Sequence, residues 1–172
     1  MGTDKNKRLF VDLDICASGE CQNCVIQCSY LYHRQSPGNN GIISVAELAT
    51  YALVCRRCEE AHCVNACPVE ALEQNLDQDK LLVRHNMRCI SCKSCSHACP
   101  YGTIYPELVP VLIHNCDFCL DRRDMSNEPL CIKSCPYGAL SLKAADSSLG
   151  ENTFLAGDHL IIHSTHWDRE KV

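Results

Sequence analysis

Sixteen cysteines fall into four groups of four with none left over: Cys16, Cys21, Cys24, Cys28; Cys55, Cys58, Cys63, Cys67; Cys89, Cys92, Cys95, Cys99; and Cys116, Cys119, Cys131, Cys135. In a chain of 172 residues this density means that disulfides or metal thiolates, rather than a large apolar core, hold the fold. Beside Trp167 only nine residues are aromatic, too few to fill a core of ordinary dimensions. Cysteines bunched at two-residue intervals are badly placed to bridge distant partners, and a reducing cytoplasm disfavours structural disulfides, so metal thiolate chemistry is the expectation. A formal charge of -5 and the lack of a basic run of five or more residues argue against nucleic-acid binding. The amino terminus, MGTDKNKRLFVDLD, has no apolar stretch behind its basic residues, and the most apolar run, GIISVAELATYALV at 41–54, falls short of the roughly 18 residues a membrane helix needs. A cytoplasmic chain without a membrane span is therefore expected.

The third group, CISCKSCSHACP, has the C-x2-C-x2-C-x3-C-P spacing of bacterial ferredoxins without departure. A cubane [4Fe-4S] cluster needs one thiolate per iron; a short loop wraps three corners, and in two-cluster ferredoxins the last cysteine of each run binds the other cluster. The runs should therefore work in pairs. Proline follows Cys67, Cys99 and Cys135, and CPVEAL, CPYGTI and CPYGAL form an internal repeat, whereas Ser29 follows Cys28. Between the second and third groups, ALEQNLDQDKLLVRHNMRC reads as two short strands around a polar turn. The competing reading of each group is a structural zinc site, which also favours C-x2-C pairs but separates two such pairs by a dozen or more residues. The fourth group comes nearest to that, with eleven residues between Cys119 and Cys131.

These motifs, the C-x2-C-x4-C-x3-C-P form at Cys55–Cys67 and the C-x2-C-x11-C-x3-C-P form at Cys116–Cys135 above all, resemble the four-cluster iron-sulfur subunits of molybdenum and tungsten pterin oxidoreductases. The family includes the beta subunits of formate dehydrogenase, dimethyl sulfoxide reductase and nitrate reductase, with related subunits in hydrogenases and tungsten aldehyde oxidoreductase-type complexes of anaerobic metabolism. The resemblance covers positions 16–136. It implies an α+β fold of tandem bacterial-type two-cluster ferredoxins, one lobe nested in the other, with short hairpins and short helices: an outer lobe from 8–54 and 110–142, an inner lobe from 55–109 and a carboxy-terminal tail at 143–172. It further implies four [4Fe-4S] clusters, held by Cys16, Cys21, Cys24 and Cys135; by Cys28, Cys116, Cys119 and Cys131; by Cys55, Cys58, Cys63 and Cys99; and by Cys67, Cys89, Cys92 and Cys95.

The function implied is a relay of single electrons between a catalytic oxidoreductase subunit, with a tungsten or molybdenum pterin, and a second redox partner. No Gly-rich phosphate loop, nucleophile elbow or HExxH occurs, so no residue is expected to be catalytic and the substrate chemistry belongs to another polypeptide. A subunit of a hydrogenase or carbon monoxide dehydrogenase complex, a free-standing polyferredoxin and a zinc-stapled interaction protein are the alternatives. Against the larger members of the family the chain stops thirty-odd residues after Cys135 without a membrane helix, and its first group opens with C-x4-C instead of C-x2-C. Either Gly19 eases a wider turn, or Cys16 is displaced and Asp14, Glu20 or a solvent oxygen takes its corner.

Outside the cysteines, Ser44 to Glu47 has the form of a capping box, predicting a helix over 45–54 with Val45, Leu48, Ala49 and Ala52 on one face. That helix either covers a lobe or docks a partner. Ser/Gly residues and a short alternating strand around His159–His163 precede Trp167, a tail that either closes on its own lobe or reaches a partner. The eight histidines, His62 and His97 in cluster loops among them, are expected at the surface or behind the ligands. Arg56, Arg57, Arg122 and Arg123 are expected to compensate local charge or steer a partner.

Overall fold

The computed structural model describes residues 7–16, 21–32, 41–109, 115–119, 128–144 and 149–166. Gly19, Glu20, Arg122, Arg123 and Trp167 lie outside them. The structure is a mixture of short helices and short strands.

The middle of the chain is local. Strand β2 (Leu72–Asn75) runs antiparallel to β3 (Leu81–Arg84), pairing Leu72 with Arg84 and Asn75 with Leu81. The turn forms as its polar residues suggest: Asn75 accepts at its side chain from Asp77 N–H at 3.1 Å, and Asp79 adopts φ +51°. On either side of this hairpin stand α4 (His62–Asn65) and α5 (Ser94–Ala98), which pack together.

The ends of the chain repeat that plan over a long sequence separation. Strand β1 (Lys7–Asp12) alternates, burying Leu9 and Val11. It pairs antiparallel with β4 (Leu140–Ala144), from Lys7 opposite Ala144 to Val11 opposite Leu140. Helices α2 (Asn23–Tyr32) and α6 (Leu130–Lys133) pack on one another beside them, and the single-turn α1 (Leu13–Cys16) leads out of β1.

Two further strands complete this sheet, in the order β4-β1-β6-β5: β5 (Thr153–Ala156) and β6 (Leu160–His163). The expected strand near His159–His163 thus exists, and it lies parallel to β1, with Leu9 opposite Leu160 and Asp12 opposite His163. Leu160, Ile161 and Ile162 are all buried, as befits a central strand covered on both faces and unlike the alternation expected from sequence. The tail closes on the sheet of β1 and β4, and β5, which carried no clear sequence signal, caps the sheet edge.

Helix α3 (Gly41–Leu53) begins four residues before the 45–54 expected from the capping box. Gly41 passes so close to Cys116 that a Cβ there would meet the Cys116 Cα at 3.0 Å, and Ser44 sits inside the helix with its hydroxyl donating to the Gly41 carbonyl at 2.7 Å. Glu47 is therefore free to turn inward, where it is buried with Tyr51 and Ala52. Val45, Leu48 and Ala49 pack against the core as expected. Leu48 also abuts Gly157, whose φ of +59° turns β5 into β6. One apolar core then runs from Leu9 and Val11 through Tyr51, Leu72, Leu81, Leu82 and Ile104 to Leu140, Leu160 and Ile162. Among the described residues no helix is long and apolar enough to cross a membrane.

Candidate metal centres

None of the sixteen cysteines, all of which are described, forms a disulfide. The short helices carry many of them: α2 holds Cys24 and Cys28, α4 Cys63, α5 Cys95 and α6 Cys131, while Cys16 ends α1. Because α4 packs on α5 and α2 on α6, thiols distant in sequence meet. Cys55, Cys58, Cys63 and Cys99 line one cavity, together with Tyr101 and Ile104. Cys28, Cys116, Cys119 and Cys131 line a second, beneath Phe118 and Pro129.

A third group forms around Cys16, which feels the charges of Cys135 and Cys21; Cys24 feels those of Cys16, Cys135 and Cys21. In the fourth, Cys95 feels Cys89 and Cys67. For Cys92 the structure shows an exposed thiol that donates to Ser94 Oγ at 3.3 Å.

The loops repeat two backbone devices. In three of the five C-x2-C pairs the second residue after the leading cysteine takes a left-handed turn: Arg57 (φ +52°), Ser91 (φ +55°) and Phe118 (φ +56°). That turn aims its N–H at the preceding sulfur, at 3.4 Å for Arg57 on Cys55 and for Ser91 on Cys89, and likewise from Phe118 to Cys116. After each Cys-Pro the second residue is left-handed again, as Glu70 (φ +50°), Gly102 (φ +63°) and Gly138 (φ +66°). The residue that follows is buried as Ala71, Thr103 or Ala139. Ala71 N–H then reaches Cys67 Sγ at 3.2 Å, and Thr103 Oγ1 lies 3.3 Å from Cys99 Sγ. The CPVEAL, CPYGTI and CPYGAL echo is this turn, and it supplies amide donors to sulfur.

Burial and crowding make these thiols costly to ionise one by one. Burial, then the charge of Cys55, pushes Cys63 up to about 11; burial pushes Cys116 up to about 11 against the Phe118 amide. Cys131 is driven higher by burial and by Cys116, Cys119 and Cys28. Burial also works to raise Cys99, but hydrogen bonds from Thr103, Tyr101 and Ile104 outweigh it and bring its pKa down. Buried thiols that resist bearing charge alone, met by amides aimed at their sulfurs, are a donor set for a positively charged inorganic centre.

Spacing discriminates between kinds of centre. With Zn–S near 2.3 Å, a tetrahedral single-ion site holds its sulfurs about 3.8 Å apart. Among the described residues the sole trio of ligand atoms within 4.8 Å of one another is Asp12, Asp14 and His163; no three thiols contract that far. Among the described residues, then, no three thiols are drawn to single-ion spacing, an arrangement with room for the larger core of a cubane.

The two aspartates of this trio are already engaged. Asp12 Oδ1 accepts from the N–H groups of Asp14 and Ile15 at 3.1 and 3.2 Å, capping the turn that delivers Cys16. Asp14 accepts from Thr165 Oγ1 at 2.5 Å, from Thr165 N–H at 2.9 Å and from Ser164 Oγ at 3.2 Å. Those bonds, the Thr165 hydroxyl first, hold its carboxyl below the usual carboxylate range. Asp14 thus has a structural use, its oxygens tying the end of β6 to the start of α1.

His62 and His97 are exposed. Arg56 lies over the Tyr101 ring at 5.8 Å, and Arg57 pairs with Asp79 and donates to the Ala52 carbonyl at 3.3 Å, so both serve local contacts. Sequence reasoning missed Arg84, whose Nε and Nη2 donate to the two oxygens of Glu47 at 2.6 Å each, and Tyr51, whose hydroxyl donates to Glu47 Oε1 at 2.7 Å. Glu47 was legible only as a cap. The signal available was its place on the same helical face as Tyr51, four residues on.

Residues 46–145 match the 4Fe-4S dicluster domain family. A tetrathionate reductase subunit of Salmonella typhimurium LT2 is 28% identical over 145 residues, which are 76% of this chain and 55% of that protein. An anaerobic dimethyl sulfoxide reductase subunit of Shigella flexneri is 29% identical over 153 residues, 80% of this chain and 73% of that one. YsaA of Escherichia coli K12 is 30% identical over 146 residues, 78% and 88%. The chain spans less than two thirds of the length of several relatives it matches, down to 14%.

Proposed function

This protein is a member of the 4Fe-4S dicluster domain family, and from that premise we propose that it is the electron-transfer subunit of an oxidoreductase complex. The observation that carries the reading is the gathering of cysteines from separate runs: four thiols around each of two cavities, with no three thiols of the described residues drawn together within 4.8 Å. Four [4Fe-4S] clusters would be held by Cys16, Cys21, Cys24 and Cys135; by Cys28, Cys116, Cys119 and Cys131; by Cys55, Cys58, Cys63 and Cys99; and by Cys67, Cys89, Cys92 and Cys95. Bound there, a cluster supplies reversible one-electron chemistry. The chain's own part is to fix the thiolates, bury them and aim amides at sulfur, which sets potentials.

Two nested ferredoxin lobes are supported by the repeated plan of one antiparallel strand pair beside one helix pair, β2/β3 with α4/α5 and β1/β4 with α2/α6. The inner lobe would take 55–109 and the outer lobe 8–54 with 110–142, to which the tail from 143 adds strands β5 and β6. The partners would be a catalytic subunit with a tungsten or molybdenum pterin and a second redox protein. Two relatives named as parts of reductases support the first. A cytoplasmic site suits thiols that must stay reduced to take iron.

Anaerobic purification from native extract at high salt tests this. Sixteen iron and sixteen sulfide per chain, in company with a larger subunit, are expected on the cubane stoichiometry of about four iron per cluster. Metal without sulfide would overturn the cluster reading. A lone iron-sulfur protein would favour a free-standing polyferredoxin, and a co-purifying hydrogenase or carbon monoxide dehydrogenase would replace the pterin partner.

A further inference from the structure

Arg84 ends β3, and its side chain is 2% exposed; that of its partner Glu47, on α3, is 6% exposed. The guanidinium forks onto both carboxylate oxygens, and Tyr51 holds Glu47 Oε1 from the other side. The fork uses two of the five N–H donors of an arginine. Cys89 follows one turn on, its N–H donating to the His85 carbonyl at 3.1 Å, and its sulfur acts electrostatically on the same guanidinium. Burial alone would lower the Arg84 pKa, but the bonds and charge of Glu47 and the charge of Cys89 reverse this, so the cation is permanent.

A buried ion pair contributes little stability beyond apolar side chains of the same volume, so its placement against a ligand thiol calls for another reason. Reduction of a cluster adds one negative charge. A fixed cation close to a ligand sulfur stabilises that reduced state, and the carboxylate behind the cation moderates the effect while fixing its position.

We propose that Arg84, oriented by Glu47 and Tyr51, is a positioning residue that raises the reduction potential of the cluster held by Cys67, Cys89, Cys92 and Cys95. The proposal rests on the cluster reading above. It makes one of the four sites distinct through two residues, Glu47 and Arg84, that lie outside every cysteine run.

Redox titration of the anaerobic holoprotein, followed by electron paramagnetic resonance, is the test, with iron and sulfide measured on each variant. Arg84→Gln removes the cation, and the potential of one cluster should fall while the others keep theirs. Glu47→Gln removes the opposing charge in nearly the same shape, and that same cluster should rise. Arg84→Lys keeps the charge and should stay nearer the wild type than Arg84→Gln. A purely structural role would instead reduce cluster content in all three without shifts of opposite sign. If Arg84→Gln does not assemble, Glu47→Gln decides: a rise supports the proposal, and no shift or a fall overturns it. Full cluster content with unmoved potentials overturns this inference alone, whereas wild-type protein without sulfide overturns the cluster reading beneath it.

Discussion

The middle cysteine groups and the terminal ones reach the same local plan by opposite routes. Cys55 to Cys99 lie within a continuous segment closed by the β2/β3 hairpin, so the chain meets itself after short loops. Cys16 and Cys135 stand 119 residues apart and meet because β1 pairs with β4 and is flanked by β6. Loop closure grows only slowly costlier with length, about 0.6 kcal/mol per doubling, so the long route is thermodynamically tolerable. It needs an anchor, however. The buried Leu160, Ile161 and Ile162 supply one, where the middle region needs only its hairpin.

The largest test of this contrast is deletion of residues 150–172. Three buried side chains at about 1.5–3 kcal/mol each put the loss near 5–9 kcal/mol, comparable with the whole stability of many domains. Iron should be lost first from the Cys16 and Cys28 groups, while 55–109 keeps its own. Full iron content in the truncated protein would mean that β6 anchors nothing and would restore the tail as a partner-binding arm.

Single ligands sharpen the comparison. Cys16→Ala, at an exposed helix end, should cost about four iron and leave the remaining clusters intact. Cys55→Ala, in the apolar core beside Leu72 and Leu82, should cost its cluster and also lower the unfolding midpoint, because its packing goes with it. Equal iron loss with equal stability loss would erase the distinction between the regions; an unchanged iron count in Cys16→Ala would revive a displaced ligand there.

Much of this architecture was written in cysteine spacing and proline position, which are local and chemically strict. The hairpin between the second and third groups followed from its turn residues, and the apolar face of α3 from its periodicity. What stayed hidden depended on tertiary partners. Glu47 has the sequence look of a cap and became a buried anion because Gly41 lets the helix start early against Cys116. β5 is legible only once β6 exists to pair with it, and Arg84 reads as an ordinary charged strand end until Glu47 is brought to it.

A smaller effect concerns the repeated turn after Cys-Pro. Glu70 holds φ +50° where the other two copies have glycine, so Glu70→Gly should raise stability by up to about 1 kcal/mol, while Gly138→Ala should lower it by a similar amount. Denaturant midpoints of the holoprotein would read both. If neither moves, the turn is not strained and the repeat reflects something other than backbone conformation.

The smallest involves Asp14, whose carboxyl is depressed by Thr165 and Ser164. A group with a lowered folded pKa stabilises above its unfolded value, near 3.8, and loses that contribution as pH falls through the folded one. Protection of the Thr165 amide should therefore fade below about pH 4 in the wild type. Asp14→Asn should show weaker protection with no such step. The middle hairpin should not respond to that substitution.

The parallel pairing of β6 with β1 also sets a timetable for biosynthesis. At roughly 5–20 residues per second, Cys135 leaves the ribosome about 6–24 s after Cys16, and β6 follows it. Residues 55–99 can gather their thiols while the rest is still being made. Cys16 and its neighbours must wait, reduced and accessible, until β6 has been translated. If the Cys16 group holds a cluster as proposed, iron and sulfide would reach the middle groups first, and the Cys16 group would be the one longest open to oxidation.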